Sequence, residues 1–262
     1  MCSNNNITVT LLGTGTSGGV PSLGCQCEVC RSKDPRDHRL RCVALVESAA
    51  GTRVLIDCGP DIRQQLMPLP FKPFDAILMT HIHYDHVGGI DDLRPFSVFG
   101  PINLYGDEKT CDHVRQIMPY CFGEHLYPGV PHLELHTIRP HEPLRIGDLE
   151  IIPIEVMHGK MPILGFRIGK FAYITDMKTI GDAELPYLDG VETLVVNALR
   201  FEKEHHSHQL VADAAEFAHK IGAKQTYITH VCHHIGLYDE AEKRMPEGLS
   251  LAYDGLKLTV EH

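Results

Sequence analysis

Between Thr80 and Gly89 the chain reads Thr-His-Ile-His-Tyr-Asp-His-Val-Gly-Gly, which puts three imidazoles and a carboxylate within six residues. The cluster follows Phe74 to Thr80, an apolar run of strand length, so it falls where a strand gives way to a loop. Alternate side chains of an extended segment share a face. His81 and His83 therefore point the same way and can chelate one ion, while the turn carries Asp85 and His86 toward a neighbouring ion. Left without a metal, four such groups would repel one another or waste burial, so the pattern favours folds that gather a metal site at a strand end.

The rest of the composition agrees. The chain has 262 residues, of which 43% are hydrophobic, enough for a sizeable core. Its formal net charge of −10 argues against a protein that coats a polyphosphate backbone, because such binding needs clustered Lys and Arg. No basic segment with an apolar follower opens the chain and no apolar run approaches the length of a membrane span, so a cytoplasmic protein without membrane contact is expected. Nine cysteines, three of them in Cys25-x-Cys27-x-x-Cys30, resemble a metal knuckle more than a disulfide framework and suggest a reducing compartment. The charged stretch Arg31 to Arg41 reads as solvated surface. Cys2, Cys42, Cys58, Cys111 and Cys121 have no ligand spacing and read as buried small hydrophobes.

Strands are expected at Ile7–Leu12, Val43–Glu47, Arg53–Asp57, Phe74–Thr80, Glu150–Val156, Leu164–Ile168, Phe171–Thr175, Thr193–Ala198 and Gln225–Thr229. Helical stretches at Asp61–Met67, Asp107–Met118, Asp182–Leu188 and His208–Ile221 interleave with them, and Pro119–Pro131 reads as a loop or lid. Strands in both halves with helices between them imply α/β architecture: two mixed sheets face to face with helices outside, a four-layer αββα sandwich. No linker divides the chain, so residues 1–262 are expected to form one domain with a knuckle loop at about 24–31. Gly13-Thr-Gly-Thr-Ser-Gly-Gly19 fails as a dinucleotide fingerprint, because Val20-Pro-Ser-Leu-Gly follows where a helix should open.

Thr80-His-Ile-His-Tyr-Asp-His86 resembles the HxHxDH signature of the metallo-β-lactamase superfamily, whose fold is this sandwich, and the resemblance covers nearly the whole chain. It implies three further ligands. His158 in Val156-Met-His-Gly159 resembles the third ligand of the first metal, Asp176 in Tyr173-Ile-Thr-Asp176 the carboxylate that bridges both, and His230 in Ile228-Thr-His230 the last ligand of the second. One ion would then be held by His81, His83 and His158, the other by Asp85, His86 and His230, with Asp176 and a hydroxide between. Such mixed nitrogen and oxygen ligation suits Zn²⁺ and admits Mn²⁺ or Fe. Two cations roughly 3.5–4 Å apart acidify the water between them and clamp the oxygens of a phosphoryl displacement. Asp57 resembles a family aspartate that orients a ligating histidine.

Gly24-Cys-Gln-Cys-Glu-Val-Cys30 is similar to the zinc knuckle of the cyclic-phosphate phosphodiesterases of bacterial phosphonate utilisation, and coenzyme PQQ biosynthesis protein B carries a similar one. That resemblance implies a structural Zn²⁺ on Cys25, Cys27, Cys30 and His233, with Cys232 and His234 as rivals for the fourth position. It also implies a phosphate-side histidine 22 residues before His230, which is His208. Near a helix N-terminus, and as an imidazolium, His208 would bind a phosphoryl oxygen and protonate the leaving alkoxide. His205 and His206 are expected to be exposed. Catalysis would thus rest on His208 and on Asp85 beside the metals. The expected activity is hydrolysis of a small or cyclic phosphodiester, with nucleic acid an unlikely partner. A ribonuclease Z-like tRNA 3′ endonuclease and a non-hydrolytic metal-binding protein like the PQQ protein are the alternatives, and a homodimer is implied only by analogy with the superfamily.

Overall fold

The apolar runs of the sequence form strands buried on both faces. In a computed structural model that describes residues 6–123 and 129–262, the first sheet contains β1 (Asn6–Gly13), β2 (Val43–Ser48), β3 (Arg53–Ile56), β4 (Ala76–Leu78), β5 (Ile102–Gly106) and β6 (Leu133–Thr137). The second contains β7 (Leu144–Ile146), β8 (Leu149–His158), β9 (Met161–Ile168), β10 (Phe171–Ile174), β11 (Thr193–Asn197), β12 (Gln225–Thr229) and β13 (Leu249–Leu251). The last strand, β14 (Leu256–Glu261), returns to the first sheet and pairs with β1. The orders are β14-β1-β2-β3-β4-β5-β6 and β13-β12-β11-β10-β9-β8-β7.

Both sheets change pairing at their fourth strand. In the first, β14 to β3 are antiparallel and β3 to β6 parallel. In the second, β7 to β10 are antiparallel and β10 to β13 parallel. Ligand sites of open α/β sheets lie beyond the carboxyl ends of strands at such changes of order. Here Asp57 leaves β3 and Asp176 lies two residues beyond β10.

Alternation along the strands assigns the layers. Val54, Ile56, Ala76 and Leu78 of the first sheet face Phe166, Phe171, Tyr173 and Val195 of the second, which makes the central core. Leu55, Ile77 and Met79 point outward to a layer that holds α1 (Ile62–Leu66), α2 (Tyr84–Val87) and α3 (Glu108–Ile117). Ala172, Ile174, Leu194 and Val196 point the other way, toward α4 (Val211–Ile221) and α5 (Tyr238–Lys243). Phe166 and Phe171 are wholly buried, and truncating such a ring to Ala costs about 3–5 kcal/mol. Among the described residues no helix is long and apolar enough to cross a membrane.

Several expectations need correction. Asp182–Leu188 is a 3-10 segment rather than an α-helix, since Pro186 inside it has no N–H to donate. The helix expected from His208 begins at Val211, because backbone bonds from Leu199 N to Gln209 O and from Val211 N to Arg200 O hold the preceding residues alongside the exit of β11. Arg31–Arg41 is not simply solvated: Asp37 and Arg39 are buried, Arg39 donating to Thr14 Oγ1 (2.8 Å) and Ala252 O (2.5 Å) and Asp37 accepting from Tyr238 N (2.7 Å). Of Pro119–Pro131, Pro119–Cys121 is a 3-10 turn, and residues 124–128 of the expected lid lie outside the described residues. Cys42, Cys58, Cys111 and Cys121 are buried as expected, and Cys2 lies outside the described residues.

Candidate metal centre

Three turns aim the central side chains. Asp57, Asp176 and His230 all adopt left-handed backbone conformations, with φ of 65°, 60° and 54°. For a non-glycine residue such a conformation costs about 1–3 kcal/mol and persists only where its surroundings enforce it. Each follows a strand that belongs to a parallel pair, so the chain bends sharply where the sheet ends. Room for the opposite wall comes from Gly59, where a Cβ would lie 2.1 Å from the backbone oxygen of Asp85.

The residues singled out in the sequence converge into three groups whose ligand atoms lie within 4.8 Å of one another: His81, His83, His158 and Asp176; Asp85, His86, Asp176 and His230; and Cys25, Cys27, Cys30 and His233. Asp176 belongs to both of the first two. Its Oδ1 lies 3.1 Å from His230 Nε2 and 3.5 Å from His86 Nε2, while its Oδ2 lies 3.7 Å from His81 Nε2.

Outer bonds fix the rings. His86 Nδ1 donates to Asp57 Oδ2 at 2.7 Å, which turns Nε2 toward Asp85 and Asp176. Thr80 Oγ1 donates to Asp57 and so accepts from His81 Nδ1 at 3.0 Å, turning His81 Nε2 inward. His158 Nδ1 donates to Asp176 O (2.7 Å) and Ser207 O (3.0 Å). A donor spent on the outer nitrogen leaves the inner lone pair free for a cation. His86 Nε2 is accordingly buried with no hydrogen-bond partner and faces the carboxylates of Asp85 and Asp176, a setting that suits a cation.

Electrostatics point the same way. Burial alone would make protonation of His86 harder, but Asp176, Asp57 and Asp85 outweigh it and hold the ring well above its ordinary value. Asp176 is fully buried, yet His230 and His86 keep its carboxyl well below the usual range. The pocket therefore concentrates negative charge and nitrogen lone pairs, the donor set of a borderline divalent cation.

The third group joins distant segments. His233 Nδ1 lies 3.3 Å from Cys25 Sγ and 3.3 Å from Cys27 Sγ. Its imidazole holds the Cys27 thiol down at about 6, which favours the thiolate a metal needs. Of the rivals, Cys232 is buried outside the group and the His234 ring packs tilted against that of His233, with ring centroids 4.1 Å apart.

His208 is buried over the centre, its ring 4.8 Å from that of His158 and 4.8 Å from that of His230. Two sequence expectations about it change. It stands ahead of Leu210, the N-cap of α4, and not in the first helical turn. Burial, His230 and His158 also push it down to about 3, so the free site holds a neutral imidazole and not the expected imidazolium. His206 is exposed as expected, but His205 is half-buried, its ring 4.9 Å from that of His208.

The beta-lactamase superfamily domain matches residues 52–231 of this chain. A solved diphosphatase of the PhnP family is 39% identical, with a TM-score of 0.89 and 97% of each chain covered. The chain belongs to the PhnP family of the metallo-β-lactamase superfamily. Its fold, its family and its clustered His and Asp side chains are those of metal-dependent hydrolases. It is also 41% identical over 251 residues to an octanoyltransferase of Porphyromonas gingivalis, covering 96% of this chain and 51% of that protein. A ribonuclease Z of Bradyrhizobium is 32% identical over 163 residues, 60% of this chain and 48% of that protein. The chain thus spans about half the length of these curated relatives.

Proposed function

We propose that the chain is a dinuclear metal-dependent phosphodiesterase that hydrolyses a small or cyclic phosphodiester. The observation that carries this reading is Asp176, whose two carboxylate oxygens face different ligand clusters. His81, His83 and His158 would hold one divalent cation, and Asp85, His86 and His230 the other, with Asp176 shared. Zinc is the expected ion and Mn²⁺ suits the same donors. Bound there, the pair would supply an acidified water and polarise the phosphoryl oxygens. Cys25, Cys27, Cys30 and His233 would hold a separate structural Zn²⁺ that ties the early loop to the end of β12.

The chain's own groups account for the rest. Asp57, Thr80 and the carbonyls of Asp176 and Ser207 keep the imidazoles in the tautomers that ligation requires. His208 rests on one histidine from each cluster and keeps a buried ring nitrogen, Nδ1, without a partner. An arriving phosphate would raise its proton affinity, so His208 can bind a phosphoryl oxygen and then protonate the departing alkoxide.

The diphosphatase neighbour favours a second scissile bond, the phosphoanhydride, at the same centre. The ribonuclease Z relative is set against the net charge of −10, which suits a small substrate better than tRNA. The test is turnover by metal-loaded protein of bis(p-nitrophenyl) phosphate, 2′,3′-cyclic nucleotides, phosphoribosyl cyclic phosphate, a dinucleoside diphosphate and a pre-tRNA. Turnover of a small ester or anhydride is expected. Cleavage of the pre-tRNA alone, or of nothing, would reject the reading.

A further inference from the structure

Of the residues in the two central clusters, His83 is the exposed one, so the centre opens to solvent at that ring. A groove of about 620 Å³ begins there and runs along α3, and its volume lies in the range of small-molecule sites. Its walls are mostly apolar, formed by Ile82, Tyr84, Val87, Ile90, Ile117 and Tyr120, with the imidazoles of His83 and His113 and the Asp91 carboxylate among them. Three of these, from two separate segments, carry large apolar surfaces into water: Tyr84 is 70% exposed, Ile117 44% and Tyr120 45%. Scattered exposed side chains need no explanation, but several converging on a groove beside a reactive centre do.

Two of the polar groups at the groove, Tyr120 and Asp91, are already engaged, while His113 adds an imidazole to its lining. Tyr120 Oη donates to Asp91 Oδ1 at 3.0 Å, and Asp91 Oδ2 accepts from Arg94 at 2.6 Å. Burial and the neighbouring Asp91 push the Tyr120 hydroxyl up to about 12, so its ring stays neutral. A sugar placed here would forfeit hydrogen bonds to water and find few replacements, whereas a flat apolar group would cover two tyrosine rings and two isoleucines.

We propose that this groove binds a planar apolar group of the substrate, an aryl ring or nucleobase, attached to the phosphate held at the metal centre. The inference rests on the phosphodiesterase reading and sharpens it: the preferred substrate carries such a group and is not a bare sugar phosphate. Ile117 and Tyr120 set this specificity, the Tyr120 ring acting through its face.

Calorimetry on the metal-loaded protein separates the two claims, with phenylphosphonate, methylphosphonate and ribose 5-phosphate as probes. Phenylphosphonate should bind about tenfold tighter than either of the others. In the Ile117→Ser, Tyr120→Ala double variant the phenyl-to-methyl ratio should fall to about one, and Tyr120→Phe should preserve it. Both side chains are nearly half exposed and neither belongs to the buried core, so these variants should fold, and circular dichroism checks that they do. Equal affinities for the three ligands, or a ratio the double variant leaves unchanged, overturns the groove even if esters turn over. Phenyl discrimination with no turnover of any ester or anhydride supports the groove and rejects the phosphodiesterase reading.

Discussion

His86 and Asp57 form a wholly buried pair, with Nδ1 of the ring 2.7 Å from Oδ2 of the carboxylate. The same carboxylate accepts from the backbone N–H of Thr80 at 2.8 Å, so one residue at the end of β3 holds both the start of the histidine loop and a ring inside it. Asp57→Asn keeps the shape but removes the charge that fixes the tautomer. Metal titration should show affinity for one of the two central cations weakened by about 10–100-fold. Unchanged affinity at both would show that Asp57 only packs.

His208→Ala should lower kcat for a phosphodiester by about 10²–10⁴-fold while the metal content stays that of the wild type. His205→Ala, one ring further out, should cost far less. The reverse order of the two losses would move the phosphate-side role to His205.

The knuckle joins Cys25 and Cys27 to His233 across most of the chain. Cys27→Ser should remove one metal ion per chain and lower Tm, at about 2–4 °C for each kcal/mol lost in a domain of this size. Calorimetric scanning beside elemental analysis reads both. A variant that loses the ion without loss of Tm would separate the knuckle from stability.

Asp254 accepts from Thr14 Oγ1 and Leu40 N, and burial pushes its carboxyl up from 3.8 to about 6. Because the folded state holds this proton more tightly than the unfolded state, the contribution is fully present below the unfolded value and is lost as pH rises through about 6. The urea midpoint of wild type minus that of Asp254→Asn should therefore fall between those two values and level off above them. A pH-independent difference would contradict the assignment.

Local patterns in the sequence made most of the architecture legible. Val54 to Ile56 and Leu194 to Val196 are β-branched apolar runs of strand length that form strands buried on both faces, and His81 to His86 is dense enough to mark its own purpose. Five strands lie outside the expected set: β7 and β13 are three residues long, so ladder partners decide them and local propensity does not, and β5, β6 and β14 carry polar residues between their apolar ones. Arg39 looked like surface because its type usually is. Its burial depends on Thr14 and Ala252, which no local window contains. His158, Asp176 and His230 were weak signals alone and gained meaning only from a resemblance, since left-handed turns at strand ends are a tertiary choice. The neutral state of His208 could not be read from spacing at all. It comes from burial and from the rings of His158 and His230 packed around it.

Elemental analysis of wild type and Asp176→Ala, each reconstituted with excess Zn²⁺ and desalted, bears most directly on the shared carboxylate. The wild type should carry about three ions per chain, two at the centre and one at the knuckle, and the variant should keep about one. A wild type with a single ion, or a variant that retains all three, would contradict a dinuclear centre organised by Asp176.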